Sequence, residues 1–295
     1  VTRISYISPS GRSLTLGEGR ILILGAEGLE APQITAIVAG SPALGGYGDL
    51  SAQVGTRKVS IQAAIDLSGL DANAARELLS SVGLSLVPEE GLGTLRIERS
   101  GRTRLVEALP NGAPHFGKRR WDSPFRSLEL GFSCASPWFR ESTTRKAEVR
   151  YYATRLSFPE AGIAFPEEGL AFSTLECEGT RSVTIENSGD VPAPVRIRFT
   201  GPTVNPFVAN RTTGEEIRIL DALAQDEWMD IDTTPGKRKV TITRGGVEGN
   251  GMQYLDLSST FWKLRPGTNL VELGDESPGE GSEASLEFEF LYASA

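Results

Sequence analysis

One histidine, His115, and two cysteines, Cys134 and Cys177, are all that 295 residues offer to the commonest activating and metal-ligating chemistries. A serine nucleophile at the faint elbow Gly131-Phe-Ser133-Cys-Ala135 needs a histidine later in the chain, and none follows residue 115. One histidine and two distant cysteines do not build a tetrahedral zinc site without several carboxylates. The glycines of LGGYGD (44–49) lead into no Gly-Lys-Ser/Thr, so no phosphate cradle is expected. No apolar run reaches the ~18 residues of a membrane span. The opening VTRISYISPS lacks the apolar middle of a secretory signal, so signal-directed export is not expected. In that setting the cysteines read as buried thiols more readily than as a pair. A net charge of -8 disfavours nucleic acid as a tight ligand.

Alternation is what the sequence does have. SLTLGEGRILILG (13–25) reads as two strands around Gly17-Glu18-Gly19, and TLRIERSGRTRLVEAL (94–109) as two more around Ser100-Gly101. VRIRF (195–199) puts Val195, Ile197 and Phe199 on one face and Arg196 and Arg198 on the other. KVTIT (239–243) and SLEFEFLY (285–292) alternate in the same way. Period two with one polar face means antiparallel sheets half exposed to water. A single stretch, LDANAARELLSSVG, predicts a helix, with Asp71 as N-cap, Gly83 as stop and a stripe of Ala74, Ala75, Leu78, Leu79 and Val82. LDALAQDEW (220–228) is short enough to be a turn. Alternation lapses after residues 134–150, which predicts two mainly β domains, 1–148 and 149–295, the helix lying in the first.

Turn chemistry crowds the second half. Asn187-Ser-Gly189-Asp190 tolerates positive φ, and Pro192 and Pro194 suit the start of an edge strand that Gly201-Pro202 ends. Asn205-Pro206 and Asn210-Arg-Thr-Thr-Gly214 frame a strand from Phe207 to Ala209. Thr234-Pro-Gly236, after Asp232, closes a hairpin, and Leu264-Arg-Pro266-Gly267-Thr-Asn269 another. Few residues suggest chemistry. Trp228 and Trp262 could serve as a glycan platform, although core packing is the usual fate of a tryptophan. Asp230, Asp232 and the acidic loop 274–283 could offer oxygens to calcium but lack its loop spacing. Asn210-Arg-Thr212 is a glycosylation sequon that an asparagine turn also explains. Lys118, Arg119, Arg120 and Trp121 form a basic aromatic cluster that suits a loop docking on a neighbouring subunit, or a nucleic-acid backbone. A pair of carboxylates could serve a glycosidase, but nothing singles one out.

The ordered set ENSGDVPAPVRIRFTGPTVNPFVANRTTGEEI, WMDIDTT, LSSTFWKLRPGTNLVEL and EFEFLYASA resembles the C-terminal half of the distal tail (Dit) proteins of long-tailed bacteriophages. The matching positions are Asn187, Gly189, Gly201, Asn205, Pro206, Asn210, Gly214, Asp232, Leu264, Pro266, Gly267 and Asn269. FPEAGIAFPEEGLAFS resembles the lead-in to that domain, and Ser-Pro-Trp-Phe (136–139) is similar to the end of the family's N-terminal belt. The resemblance implies a tail-tube-like belt with one helix, followed by a galectin-like β-sandwich. It implies a structural virion protein, with no enzyme activity and no cofactor or metal. Six copies would form a ring at the distal tail tip, joining the tail tube to the host-adhesion apparatus and leaving a lumen for DNA. The implied partners are the tail tube, the tape measure, and hub or receptor-binding proteins, with DNA only in transit, no membrane insertion, and assembly in the host cytoplasm. Six copies would carry about -48 in formal charge, which suggests an acidic lumen. A glycan-binding role for the sandwich is the alternative. The second half has no histidine, so the fold resemblance carries no galectin sugar site with it.

Overall fold

A computed structural model describes residues 2–40, 48–87, 91–117, 124–150, 182–276 and 283–295. The chain falls into two compact units, Val1–Ser142 with Leu291–Ala295, and Thr143–Phe290.

In the first unit one antiparallel sheet runs in the order Ser13–Leu16, Arg3–Ile7, Gly93–Arg99, Arg102–Pro110, Phe125–Cys134, Lys58–Asp66, Ile21–Glu27. The alternation that marks these strands in the sequence sorts their side chains. Val59, Ile61, Ala63 and Ile65 of one strand and Leu128, Leu130 and Phe132 of its neighbour all turn into a single core with Ile4, Tyr6, Leu95 and Ile97. Gly93–Arg99 and Arg102–Pro110 form the expected hairpin, with Ser100 and Gly101 both at positive φ in the turn. The two ends of the sheet are consecutive in the chain. The Gly17 amide donates to Ile21 O at 2.8 Å, so the sheet curls until its ends touch at that point. Gly17 permits this: its φ is +85°, and a Cβ there would lie 2.3 Å from Thr2 O.

The helix spans Ala72–Ser85, and the Asp71 carboxylate caps it by accepting from the Asn73 and Ala74 amides. Gly83 does not stop it. Two further residues continue the helix, and the Leu86 amide closes the end on Gly83 O and the Val87 amide on Leu84 O. Glycine ends a helix by taking a left-handed conformation, and Gly83 is not among the positive-φ glycines.

The second unit has two antiparallel sheets. One runs Arg145–Arg150, Glu283–Phe288, Ala193–Thr200, Trp228–Asp232, Lys239–Arg244, Val247–Asn250. The other runs Ser182–Asn187, Gly267–Gly274, Phe207–Asn210, Glu215–Arg218. Each sheet buries alternate residues, as the facing layers of a β-sandwich do: Val195, Ile197, Phe199, Met229 and Ile231 in the first, Ile185, Val208, Ile217, Val271 and Leu273 in the second. Two expectations change. Ala193–Thr200 is a central strand, not an edge, and its prolines are tolerated because they sit at its very start, where Ala193 and Pro194 pair with Leu264 and Lys263. The alternation through SLEFEFLY does not make one strand. It ends at Phe288, and Leu291–Tyr292 pairs instead with Phe139–Glu141 in the first unit.

Cys134 is buried and unpaired, while Cys177 lies outside the described residues. Burial pushes the Cys134 thiol up to about 11 from 9.0, against an opposing pull from Arg57. A folded-state pKa raised in this way adds stability below pH 9 that is lost as pH climbs towards 11. The melting temperature of the wild type should therefore fall more steeply over that window than that of Cys134→Ala; parallel slopes would show that the thiolate costs the fold nothing.

Candidate functional site

The turn residues of the second unit gather into corners, and asparagine side chains build them. Asn187, Asn210 and Asn269 are each buried to 1% exposure or less. Asn187 Nδ2 donates to Leu264 O at 2.9 Å, while its Oδ1 accepts from the Gly189 amide. Asn269 donates to Arg265 O and Gly267 O and accepts from the Arg265 amide and Asn210 Nδ2. Asn210 Oδ1 accepts from the Thr212 amide, and its backbone oxygen takes the Gly214 amide, with Gly214 at φ +75°. A primary amide is a donor and an acceptor at once, so it replaces the ladder bonds that a chain loses when it leaves a sheet. Ser182–Asn187 and Ala193–Thr200 belong to different sheets, as do Lys263–Leu264 and Gly267–Gly274. The turns after Asn187 and after Leu264 are thus crossings between layers, not hairpins. Burial also takes the Asn210 sequon out of reach of glycosylation in the folded state.

The remaining turn residues each have a local task. Gly201 lets two backbones approach, since a Cβ there would lie 2.0 Å from Ala224 O. Asn205 takes φ +48° and donates to Glu276 at 2.7 Å, beside the buried Pro206. Asp232 accepts from the Thr234 amide and opens the hairpin turn. Gly267 takes φ +86° next to the exposed Pro266.

The candidate ligand groups are not brought together. Trp262 is 1% exposed, with its indole N–H on Val208 O at 3.2 Å. It is a core residue with no face for a sugar, which is the usual fate of a tryptophan and removes it from the glycan-platform alternative. Trp228 is partly buried, with the Arg198 guanidinium 5.7 Å from its ring. Asp230 and Asp232 are engaged by arginines: Arg198 grips Asp230 with two bonds of 2.7 and 2.9 Å, and Arg196 lies 3.4 Å from Asp232. Asp230, by hydrogen bond, drives the Arg198 pKa up. With Lys146–Glu287 and Lys239–Glu248, these pairs cross the outer side of the larger sheet as alternating charges. Such a pattern solvates a surface and adds little stability. Among the described residues no group of three or more His, Cys, Asp or Glu could hold a metal ion, and no helix is long and apolar enough to cross a membrane. Lys118, Arg119, Arg120 and Trp121 lie outside the described residues, as do FPEAGIAFPEEGLAFS and residues 277–282 of the acidic loop.

Exposed apolar margins in the first unit are what the sequence reading missed. Among the described residues Ile34–Gly40 and Gly48–Val54 pair only with each other, as a two-stranded ribbon. Every described side chain at 34–37 and 51–54 is exposed, including Ile34 at 63% and Ile37 at 44%. Two strands alone are marginal in water. Next to the ribbon in sequence, Ile21–Glu27 has a strand partner on one side only among the described residues, and it exposes Leu22 at 45% and Leu24, at a bulge, at 68%. The available signal was ITAIVAG itself, an apolar run of strand length with no polar face. Charge divides between the units as well. The first holds 15 basic and 14 acidic residues, and the second holds 15 and 24. The acidic surplus therefore belongs to the second unit.

The Asn269 amide serves four bonds at once, so Asn269→Ala should destabilise the second unit by ~2–4 kcal/mol in chemical denaturation, while Pro266→Ala, at an exposed neighbour, should change it by less than ~0.5 kcal/mol. Equal effects would remove the corner from the account.

Residues 188–292 match the family model for the siphovirus-type tail component, C-terminal domain. No curated protein matches the chain. Among solved structures, the SPP1 Dit (gp 19.1) protein, described as a paradigm of the hub adsorption apparatus in phages infecting Gram-positive hosts, is similar over 98% of this chain and 99% of its own, with 12% identity and a TM-score of 0.64. A chain of the phage P2 baseplate, in its activated conformation with Ca, is similar over 98% of both chains at 11% identity and TM-score 0.52, and one of the form with Sr at 13% and 0.50. These structural likenesses concern the fold, and the sequence match rests on the second unit. With that match in place, residues 188–292 carry a siphovirus-type tail component C-terminal domain, and the chain shares its fold with the SPP1 Dit protein over nearly its whole length.

Proposed function

We propose that this chain is a structural ring protein at the distal end of a phage tail. Six copies close around a lumen through which DNA passes. The ring joins the tail tube to the hub and receptor-binding proteins of the adhesion apparatus and meets the tape measure. The ring is built in the host cytoplasm and catalyses nothing. The first unit is the belt, and the second carries contacts to the adhesion apparatus.

The observation that carries this reading is the exposed ribbon that follows an open sheet margin in the chain. Unpaired strand edges and ribbons with an exposed apolar face invite pairing, and closed cyclic assembly seals them without leaving a new edge. Each large apolar side chain covered by a neighbour is worth up to ~1.5–3 kcal/mol, multiplied around the ring. The charge division adjusts the expectation for the lumen: a belt with 15 basic and 14 acidic residues is close to neutral. DNA would then slide for want of net attraction, not because of strong repulsion. A glycan-binding sandwich keeps only Trp228 in its favour once Trp262 is placed in the core.

Light scattering of the full chain, together with imaging of tail particles, tests the reading. The wild type should form a closed ring in particles, and Leu24→Asp with Ile37→Asp should abolish assembly while leaving the melting temperature of the free chain within a few degrees. Particles without a ring, or rings that persist in the double variant, would contradict it.

A further inference from the structure

Arg57 is the one charged side chain that is buried among the described residues, at 3% exposure. Its guanidinium is held by backbone carbonyls. Nε donates to Pro137 O at 2.8 Å, Nη1 to Glu30 O at 2.6 Å and to Gly28 O, and Nη2 to Ala293 O at 2.7 Å. The plane stacks 4.2 Å from the centroid of Phe139. No carboxylate is among these hydrogen-bond partners, and the Glu30 side chain, 79% exposed, turns instead to Arg99. Desolvation lowers the Arg57 pKa. A buried cation with no carboxylate among its hydrogen-bond partners is tolerated only where its donors are satisfied, so the three segments that supply the carbonyls depend on one another.

Those segments are not arbitrary. Residues 28–30 lie between the open margin Ile21–Glu27 and the ribbon strand Ile34–Gly40. Pro137 and Ala293 flank the two points where the chain passes between units, 142/143 and 290/291. Further contacts fasten the 291–295 segment. Phe139 pairs with Tyr292, Arg140 pairs with Leu291, the Ala295 amide donates to Leu29 O, and Arg104 lies 3.4 Å from the Tyr292 ring centroid. We propose that Arg57 is the positioning residue of a clasp, with residues 291–295 as its strap, that couples the assembly margin of the first unit to both of its chain crossings. The link to assembly rests on the ring reading; the coupling itself does not.

Hydrogen exchange on the full chain tests it. In Arg57→Lys, which keeps the charge but loses the planar fork, amides at 28–30 and at 291–295 should both exchange about tenfold faster, with 195–199 unchanged, and ring assembly should weaken severalfold although the ribbon is untouched. Arg104→Ala leaves the Arg57 fork intact and loosens the strap from its other side; amides at 28–30 should then speed up together with 291–293. Loosening of 291–293 with 28–30 at the wild-type rate would overturn the coupling, as would a uniform rise across the first unit in Arg57→Lys. If the exchange pattern holds and the wild type forms no ring, the ring reading fails and the clasp stands. If Arg57→Lys assembles as well as wild type, the link to assembly is overturned.

Discussion

Sheet margins without a strand partner among the described residues set the terms for this protein. A sheet offers N–H and C=O groups along both margins, and each must be paired, covered or left to water. The first unit resolves part of this internally, by curling until Gly17 reaches Ile21. Among the described residues it then leaves Ile21–Glu27 with one strand partner and the ribbon with none outside itself. A side chain such as Ile34, at 63% exposure on a two-stranded element, is what the proposed meeting of copies would cover. The belt reading grows from that constraint and needs no reactive group.

The second unit meets the same constraint in another way. Where its chain leaves one sheet for the other, ladder bonds end, and side-chain amides of Asn187, Asn210 and Asn269 take over. The buried asparagines are thus the counterpart of the open margins. Here unmet polar groups are satisfied inside the unit, which leaves its outer surface free to carry paired charges and the acidic surplus. The two units differ in emphasis: the first exposes an apolar ribbon and sheet margin, and the second satisfies its layer crossings with buried asparagines.

Much of this was legible in the sequence. Period-two runs such as VRIRF and KVTIT gave strands and their buried sides, because a half-buried sheet imposes that pattern directly. The asparagine and glycine positions were recognisable as turns. Whether a turn closes a hairpin or crosses between layers was not, since the same φ and the same amide serve both, and only pairing partners tell them apart. Trp262 could be placed on either side of its strand until Val208 O was seen to accept its indole proton. Ile34–Gly40 escaped because alternation is a signature of one wet face and ITAIVAG has almost none, while its partner GDLSAQV alternates through Asp49, Ser51 and Gln53. The strap escaped because SLEFEFLY alternates straight through the break at residues 289–290.

The central claim is that identical copies seal these margins. The most direct measurement compares amide exchange at 22–27, 34–37 and 51–54 in the assembled ring and in the dissociated chain. The account predicts strong protection of all three stretches in the ring and fast exchange in the free chain. Equal exchange in both states would mean that the margins stay open after assembly, and the ring would have to be held by some other surface.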